Sequence, residues 1–121
     1  MDSLTHNWLD AATIQLNKQE LNKDQDDAIV QLFEVCSDDP KRAFNVICEI
    51  LACNPRKDVV GYLGAGPLED LLIHHCEYID IVIDKTNSIE LLEECLEHVN
   101  LETEDCEEAE KLHAFFASHR K

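Results

Sequence analysis

The sequence has few basic residues for its size. Lys and Arg together number 10 against 26 Asp and Glu, which gives the 121-residue chain a formal net charge of −16. Direct binding to DNA, RNA or an anionic membrane surface is not expected, because such binding relies on Lys and Arg. So large a charge also weakens the compact state through self-repulsion, which a basic protein partner would relieve. An acidic surface that serves solubility alone is the other interpretation.

The sequence is also poor in aromatic residues, Gly and Pro. Aromatic residues make up 6% of the chain, and there are three Gly and three Pro. Aliphatic side chains must therefore build the core, and the length predicts a single acidic helical domain over residues 1–121. No apolar stretch approaches the roughly 20 residues that span a bilayer. Met1, Asp2, Ser3 and Leu4 do not begin a signal peptide, so we expect a cytoplasmic protein.

Apolar residues recur at helical spacing along the chain, and capping residues divide it into segments. Ser3, Asp24 and Asp39 are predicted N-caps, and Pro67 is predicted to begin a helix after a tight non-helical link, Gly64–Gly66, in which Gly66 or its neighbour adopts a positive φ. A stretch of β-branched residues from position 78 to 84 could form a strand, but a lone strand would have no partner. Helices are predicted over residues 3–18, 24–36, 40–53, 57–63, 67–76, 78–84, 88–99 and 103–118.

These segments predict an all-α fold. The short connections favour antiparallel neighbours, in a compact bundle or a short helical-repeat stack of seven to eight antiparallel helices.

The six cysteines are predicted to be reduced and mostly buried. Nothing at the N-terminus indicates export, and thiols stay reduced in the cytoplasm. Cys48, Cys76 and Cys95 each follow an apolar residue by three or four positions, as core residues of a helix do. We therefore expect six free thiols.

The sequence contains no familiar catalytic or phosphate-binding motif. A metal site assembled across helices from His75, Cys76 and Cys95 is one alternative, but a half-buried histidine and core thiols explain these residues better. Cys106 is flanked by carboxylates, which raise a thiol pKa and disfavour catalysis. We expect no catalytic residue, no metal and no cofactor.

The strongest pattern is acidic. Ten carboxylates lie between positions 90 and 110 without an intervening Lys or Arg. Positions 90, 93, 94 and 97 follow helical spacing, so they should form one stripe opposite the apolar face, where like charges repel. A solvated helix face is the alternative to a binding face. The residues predicted to bind a basic partner are Glu90, Glu93, Glu94, Glu97, Glu104, Glu107 and Glu108.

Residues 61–72 contain the run Ala-Gly-Pro-Leu-Glu-Asp-Leu-Leu at positions 65–72, with His75 shortly after it. This run resembles the signature of an uncharacterised bacterial helical domain family. The resemblance implies an α-helical bacterial protein and supplies no activity.

Three functions are compatible with these features. The first is a small cytoplasmic protein-binding module, an inhibitor or toxin-immunity protein that neutralises a basic partner such as a toxin or nuclease. The second is a helical adaptor or structural protein that binds an apolar peptide or helix. The third is an enzyme whose Glu69 and Asp70 face His74 or His75. We expect the first, and no enzymatic activity.

Overall fold

The fold is all-helical in a computed structural model that describes residues 1–102 and 104–119. This part of the chain contains eight α-helices and one π-helical segment. The predicted fold class is thereby confirmed. The elements are α1 (Ser3–Leu16), α2 (Lys23–Asp38), α3 (Pro40–Ala52), α4 (Lys57–Leu63), the π segment (Gly64–Leu68), α5 (Glu69–His74), α6 (Tyr78–Lys85), α7 (Leu92–Leu96) and α8 (Ala109–His119).

Side-chain caps fix the starts of the first three helices. The Asp2 carboxylate accepts a hydrogen bond from the Leu4 N–H at 3.0 Å, so Asp2 caps α1 where Ser3 was predicted. Asn22 caps α2 in a capping box with Gln25, two residues before the predicted Asp24. Asp39 caps α3, as predicted. Each cap satisfies a backbone N–H that has no partner within the helix.

The middle of the chain differs from the prediction. Pro67 does not begin a helix, because α4, the π segment and α5 follow one another without a break and Pro67 lies inside the π segment. Proline removes a helical hydrogen bond and crowds the preceding turn, and a widened π turn accommodates both effects. None of the three glycines, all of which lie among the described residues, has a positive φ, so the prediction of a positive φ at Gly66 or its neighbour was wrong.

Gly64 has a packing role that the sequence did not reveal. A Cβ atom there would lie 2.0 Å from the Cys95 carbonyl oxygen. The backbone of α7 can therefore pack this closely only against a glycine.

The C-terminal third also departs from the prediction. The stretch from position 78 is helical, as predicted. The next helix does not begin near position 88, because Leu91 has a left-handed backbone conformation with φ of 71° and α7 starts after it. The last helix begins at Ala109, later than the predicted start at residue 103, which lies outside the described residues.

The core is mainly aliphatic, and every α-helix contributes buried side chains to it. Trp8 is fully buried, with its ring centroid 5.6 Å from that of Tyr62. None of the helices in residues 1–102 and 104–119 has the length and apolar character that a bilayer crossing requires.

Polar contacts join the start of α1 to α3. Arg42 donates two hydrogen bonds to the Asp2 carboxylate, at 2.8 and 3.2 Å. Glu49 accepts from the Asp2 N–H and from the Thr5 hydroxyl. The Arg42 hydrogen bond lowers the pKa of Asp2, and the Thr5 hydrogen bond lowers that of Glu49. The network fixes the N-terminus against the third helix.

The prediction of six free thiols was wrong. Cys76 and Cys106 form a disulfide, with Cα atoms 5.7 Å apart. It links the α5–α6 connection to the segment before α8. Burial raises the pKa of Cys36 and Cys95 to about 12 and that of Cys48 to about 11. These three thiols are consequently poor nucleophiles at neutral pH.

Candidate protein-binding surface

Helix α7 positions the acidic segment, which comprises residues 90–110. Leu92, Cys95 and Leu96 are buried, and α7 packs against α4 and the π segment. This anchoring directs the rest of the short helix outward. Glu93 and Glu97 are exposed, whereas Glu94 is half-buried.

Glu90 does not share a helix with these residues. It lies in the α6–α7 connection, and the left-handed Leu91 separates it from α7. A left-handed residue cannot continue a right-handed helix, so the predicted four-residue helical stripe was wrong. Glu90 is nevertheless exposed.

Glu104, Glu107 and Glu108 also lie outside the helix that was predicted to contain them. They precede Ala109, where α8 begins. Glu104 and Glu107 are exposed, whereas Glu108 is half-buried. Cys106, between them, is buried and bonded to Cys76, so the disulfide holds this acidic stretch to the helical body.

Basic residues from other parts of the chain approach two of the predicted binding residues. Lys57 Nζ lies 3.8 Å from Glu94, and Lys111 Nζ lies 2.5 Å from Glu108 and 2.9 Å from Asp80. The hydrogen bonds that Lys111 donates to the Glu108 and Asp80 carboxylates raise its pKa. Positions 90–110 contain no Lys or Arg, but in the folded protein basic side chains from outside this segment lie beside two of its carboxylates.

The metal hypothesis meets structural obstacles, whereas Asp70 of the enzyme hypothesis lies 3.5 Å from His74 Nδ1. Cys76 cannot ligate a metal while it is disulfide-bonded, and His75 Nε2 lies 2.7 Å from the Ser37 carbonyl oxygen. Within residues 1–102 and 104–119 no three His, Cys, Asp or Glu side chains form a group that could hold a metal ion. Glu69 accepts a hydrogen bond from the Asn100 N–H at 2.7 Å, so it braces the chain after α7.

Sequence reasoning missed two surface grooves, because each forms where two separate segments of the chain pack together. One, about 370 Å³, lies between α1 and α2 and is lined mainly by amide and carboxylate side chains. The other, about 510 Å³, lies between the end of α3 and the α6–α7 connection. The second, called here the α3 groove, is more apolar. Its lining includes Cys48, Leu51, Ala52, Ile89, Glu90 and Leu91.

Comparison with protein families matches residues 15–114, which is 100 of the 121 residues, to a family of unknown function. The chain belongs to DUF6869. The match includes the run at positions 65–72 and agrees with the expected resemblance to an uncharacterised domain family. No curated protein and no solved structure matches the chain. Both the α3 groove and the whole acidic segment lie within the DUF6869 match.

Proposed function

We propose that this DUF6869 chain is a small protein-binding module that binds and neutralises a basic protein through its acidic segment. The observation that supports this most directly is the exposure of Glu90, Glu93, Glu97, Glu104 and Glu107 on a chain of net charge −16. Carboxylates on a surface of one sign attract a basic protein at long range and accelerate its association. A toxin or nuclease, whose own target is anionic, is a partner of this kind.

An inhibitor or immunity protein of a bacterial toxin, working in the cytoplasm, is the specific form of this proposal. Such a protein needs rapid capture more than catalysis, and a rigid helical scaffold that presents carboxylates provides it. The alternative is a helical adaptor for an apolar peptide, which the α3 groove favours. The two functions differ in salt dependence, because screening weakens charge attraction and leaves apolar contacts intact.

The test begins with capture of partners from the source organism on the immobilised chain at low salt. The rate of association with the purified partner is then measured from 20 to 300 mM NaCl. Double reversal Glu93→Lys/Glu97→Lys should slow association by about tenfold and flatten its salt dependence. The control Glu20→Lys/Glu34→Lys reverses two exposed carboxylates near or on α2 and changes the net charge equally.

The control should slow association less than the acidic-segment variant. Equal effects of the two variants would mean that net charge acts and the acidic segment has no special role. Association that depends on neither salt nor either variant would refute the charge-based function.

A further inference from the structure

The α3 groove has the composition of an anchor pocket beside a charged surface. Its volume of about 510 Å³ lies within the range of pockets that enclose small ligands. Cys48, Leu51, Ala52, Ile89 and Leu91 give it an apolar lining. Glu90 belongs to the same lining and is also a residue of the acidic segment. The groove is therefore continuous with the surface that we propose binds a basic partner.

Charge attraction raises the association rate of two proteins but adds little to the affinity of their complex. Tight interfaces bury a few apolar or aromatic anchors in pockets and surround them with a polar rim, and most of the binding energy comes from those anchors. Exposed carboxylates are screened at physiological salt and mainly raise the association rate. A partner attracted by the acidic segment would therefore be held more tightly if it also filled an adjacent apolar pocket. Glu90 borders such a pocket, the α3 groove.

The backbone around the groove is unusual. Among the described residues, three other than glycine have a positive φ, and two of them, Asn54 and Leu91, line this groove. At Asn54 this conformation is an ordinary helix end, because asparagine tolerates it just after a C-cap, whereas at Leu91 it is a conformation of the kind that costs free energy and clusters at functional sites. For leucine the left-handed conformation is particularly unfavourable, and in this chain it ends the connection that forms one wall of the groove.

We propose that the α3 groove binds an aliphatic side chain of the basic partner, and that a lysine or arginine beside that side chain pairs with Glu90. The inference rests on the proposed function and adds the site at which the bound partner is held. The occupant is fixed by complementarity: the apolar part of the lining favours an aliphatic side chain, and the Glu90 carboxylate in the same lining selects a positive neighbour.

Two synthetic peptides test the groove without the natural partner. Each has five residues, with two lysines on either side of a central residue that is leucine in one peptide and serine in the other. Binding to the isotope-labelled chain is followed by NMR at low salt. The leucine peptide should bind about tenfold more tightly, because leucine gains free energy from burial and serine does not. It should also shift the amide signals of residues 51, 52, 89 and 91.

Variants at two exposed alanines locate the effect. Ala52→Trp fills the groove and should abolish the preference for leucine, whereas Ala114→Trp, on α8, should preserve it. Glu90→Gln should weaken both peptides about equally. Equal affinity of the two peptides for the unmodified chain would overturn the groove proposal and requires no variant. A leucine preference that survives Ala52→Trp would overturn it as well.

The same titrations separate this proposal from the proposed function. If both peptides bind equally and Glu93→Lys/Glu97→Lys or added salt weakens them, charge attraction stands and the groove is not an anchor site. If the leucine preference is present but binding responds to neither salt nor charge reversal, the proposed charge-based function fails. The chain would then bind apolar peptides, and the proposed ion pair between Glu90 and a basic residue of the partner would be refuted.

Discussion

Gly64 and Gly66 are two residues apart in the π segment, yet a side chain would meet different surroundings at each. At Gly64 a Cβ atom would overlap the Cys95 carbonyl oxygen, a backbone atom that cannot move unless α7 moves. At Gly66 the nearest atom is Phe33 Cζ at 3.4 Å, an ordinary contact. Of these two glycines, only Gly64 is required by the close approach of another helix.

We predict that Gly64→Ala destabilises the fold by about 1–3 kcal/mol, the usual cost of overpacking. Gly66→Ala is the matched control. It should cost less than Gly64→Ala, because the helical preference of alanine offsets part of the crowding between its Cβ and the ring of Pro67. Urea unfolding of the three proteins measures both effects. A cost at Gly66 equal to that at Gly64 would show that the close approach of α7 is not the reason for the glycine.

At the scale of elements, α8 packs on α6, and its residues Ala109 and Leu112 are buried. Lys111 pairs with Asp80, and His113 Nε2 lies 2.9 Å from the Leu101 carbonyl oxygen. The Cys76–Cys106 disulfide adds a covalent link next to the start of α8. The chain between the two cysteines contains α6 and α7, so the link also restricts the acidic segment.

We predict that the denatured chain without reductant has four reactive thiols, which are the six cysteines less the disulfide pair. Cys106→Ser should lower the free energy of unfolding by at most about 3–4 kcal/mol, the chain-entropy estimate for a loop of 30 residues. Hydrogen exchange should accelerate most in α8. Cys53→Ser, at a half-buried free thiol, is the control and should leave exchange in α8 unchanged. Six reactive thiols would contradict the disulfide.

The sequence predicted features that depend on neighbouring residues better than features that depend on residues far apart in the chain. The cap and the first turn of α3 were predictable, because Asp39 and Pro40 act on neighbouring residues, whereas the caps of α1 and α2 are Asp2 and Asn22 and not the predicted residues. The π segment and the left-handed Leu91 were not recognised in the sequence. The disulfide could not be predicted, since it joins residues 30 positions apart. Gly64 illustrates this: the sequence gives it the appearance of a turn residue, and only the position of α7 assigns its role.

At the scale of the whole molecule, the acidic character of the surface was predictable and its arrangement was not. Composition alone identified the excess of carboxylates. Lys57 and Lys111, which pair with Glu94 and Glu108, both lie outside the acidic segment, Lys111 immediately after it. The α3 groove combines residues about 40 positions apart and left no periodic signal in the sequence.

The net charge of −16 should itself limit stability. Repulsion among exposed carboxylates acts over the screening length, which falls from about 30 Å at 0.01 M salt to about 8 Å at 0.15 M. We predict that the urea midpoint rises over this range of NaCl, because screening relieves repulsion in the folded state more than in the expanded chain. Glu93→Lys/Glu97→Lys changes the net charge from −16 to −12, since each reversal adds two, and should reduce the rise. Lys41→Glu/Lys85→Glu changes it to −20 by the same arithmetic and should enlarge the rise. A midpoint that is independent of salt in all three proteins would mean that local ion pairs already balance the repulsion. The acidic surface would then carry no excess folding cost for a basic partner to relieve.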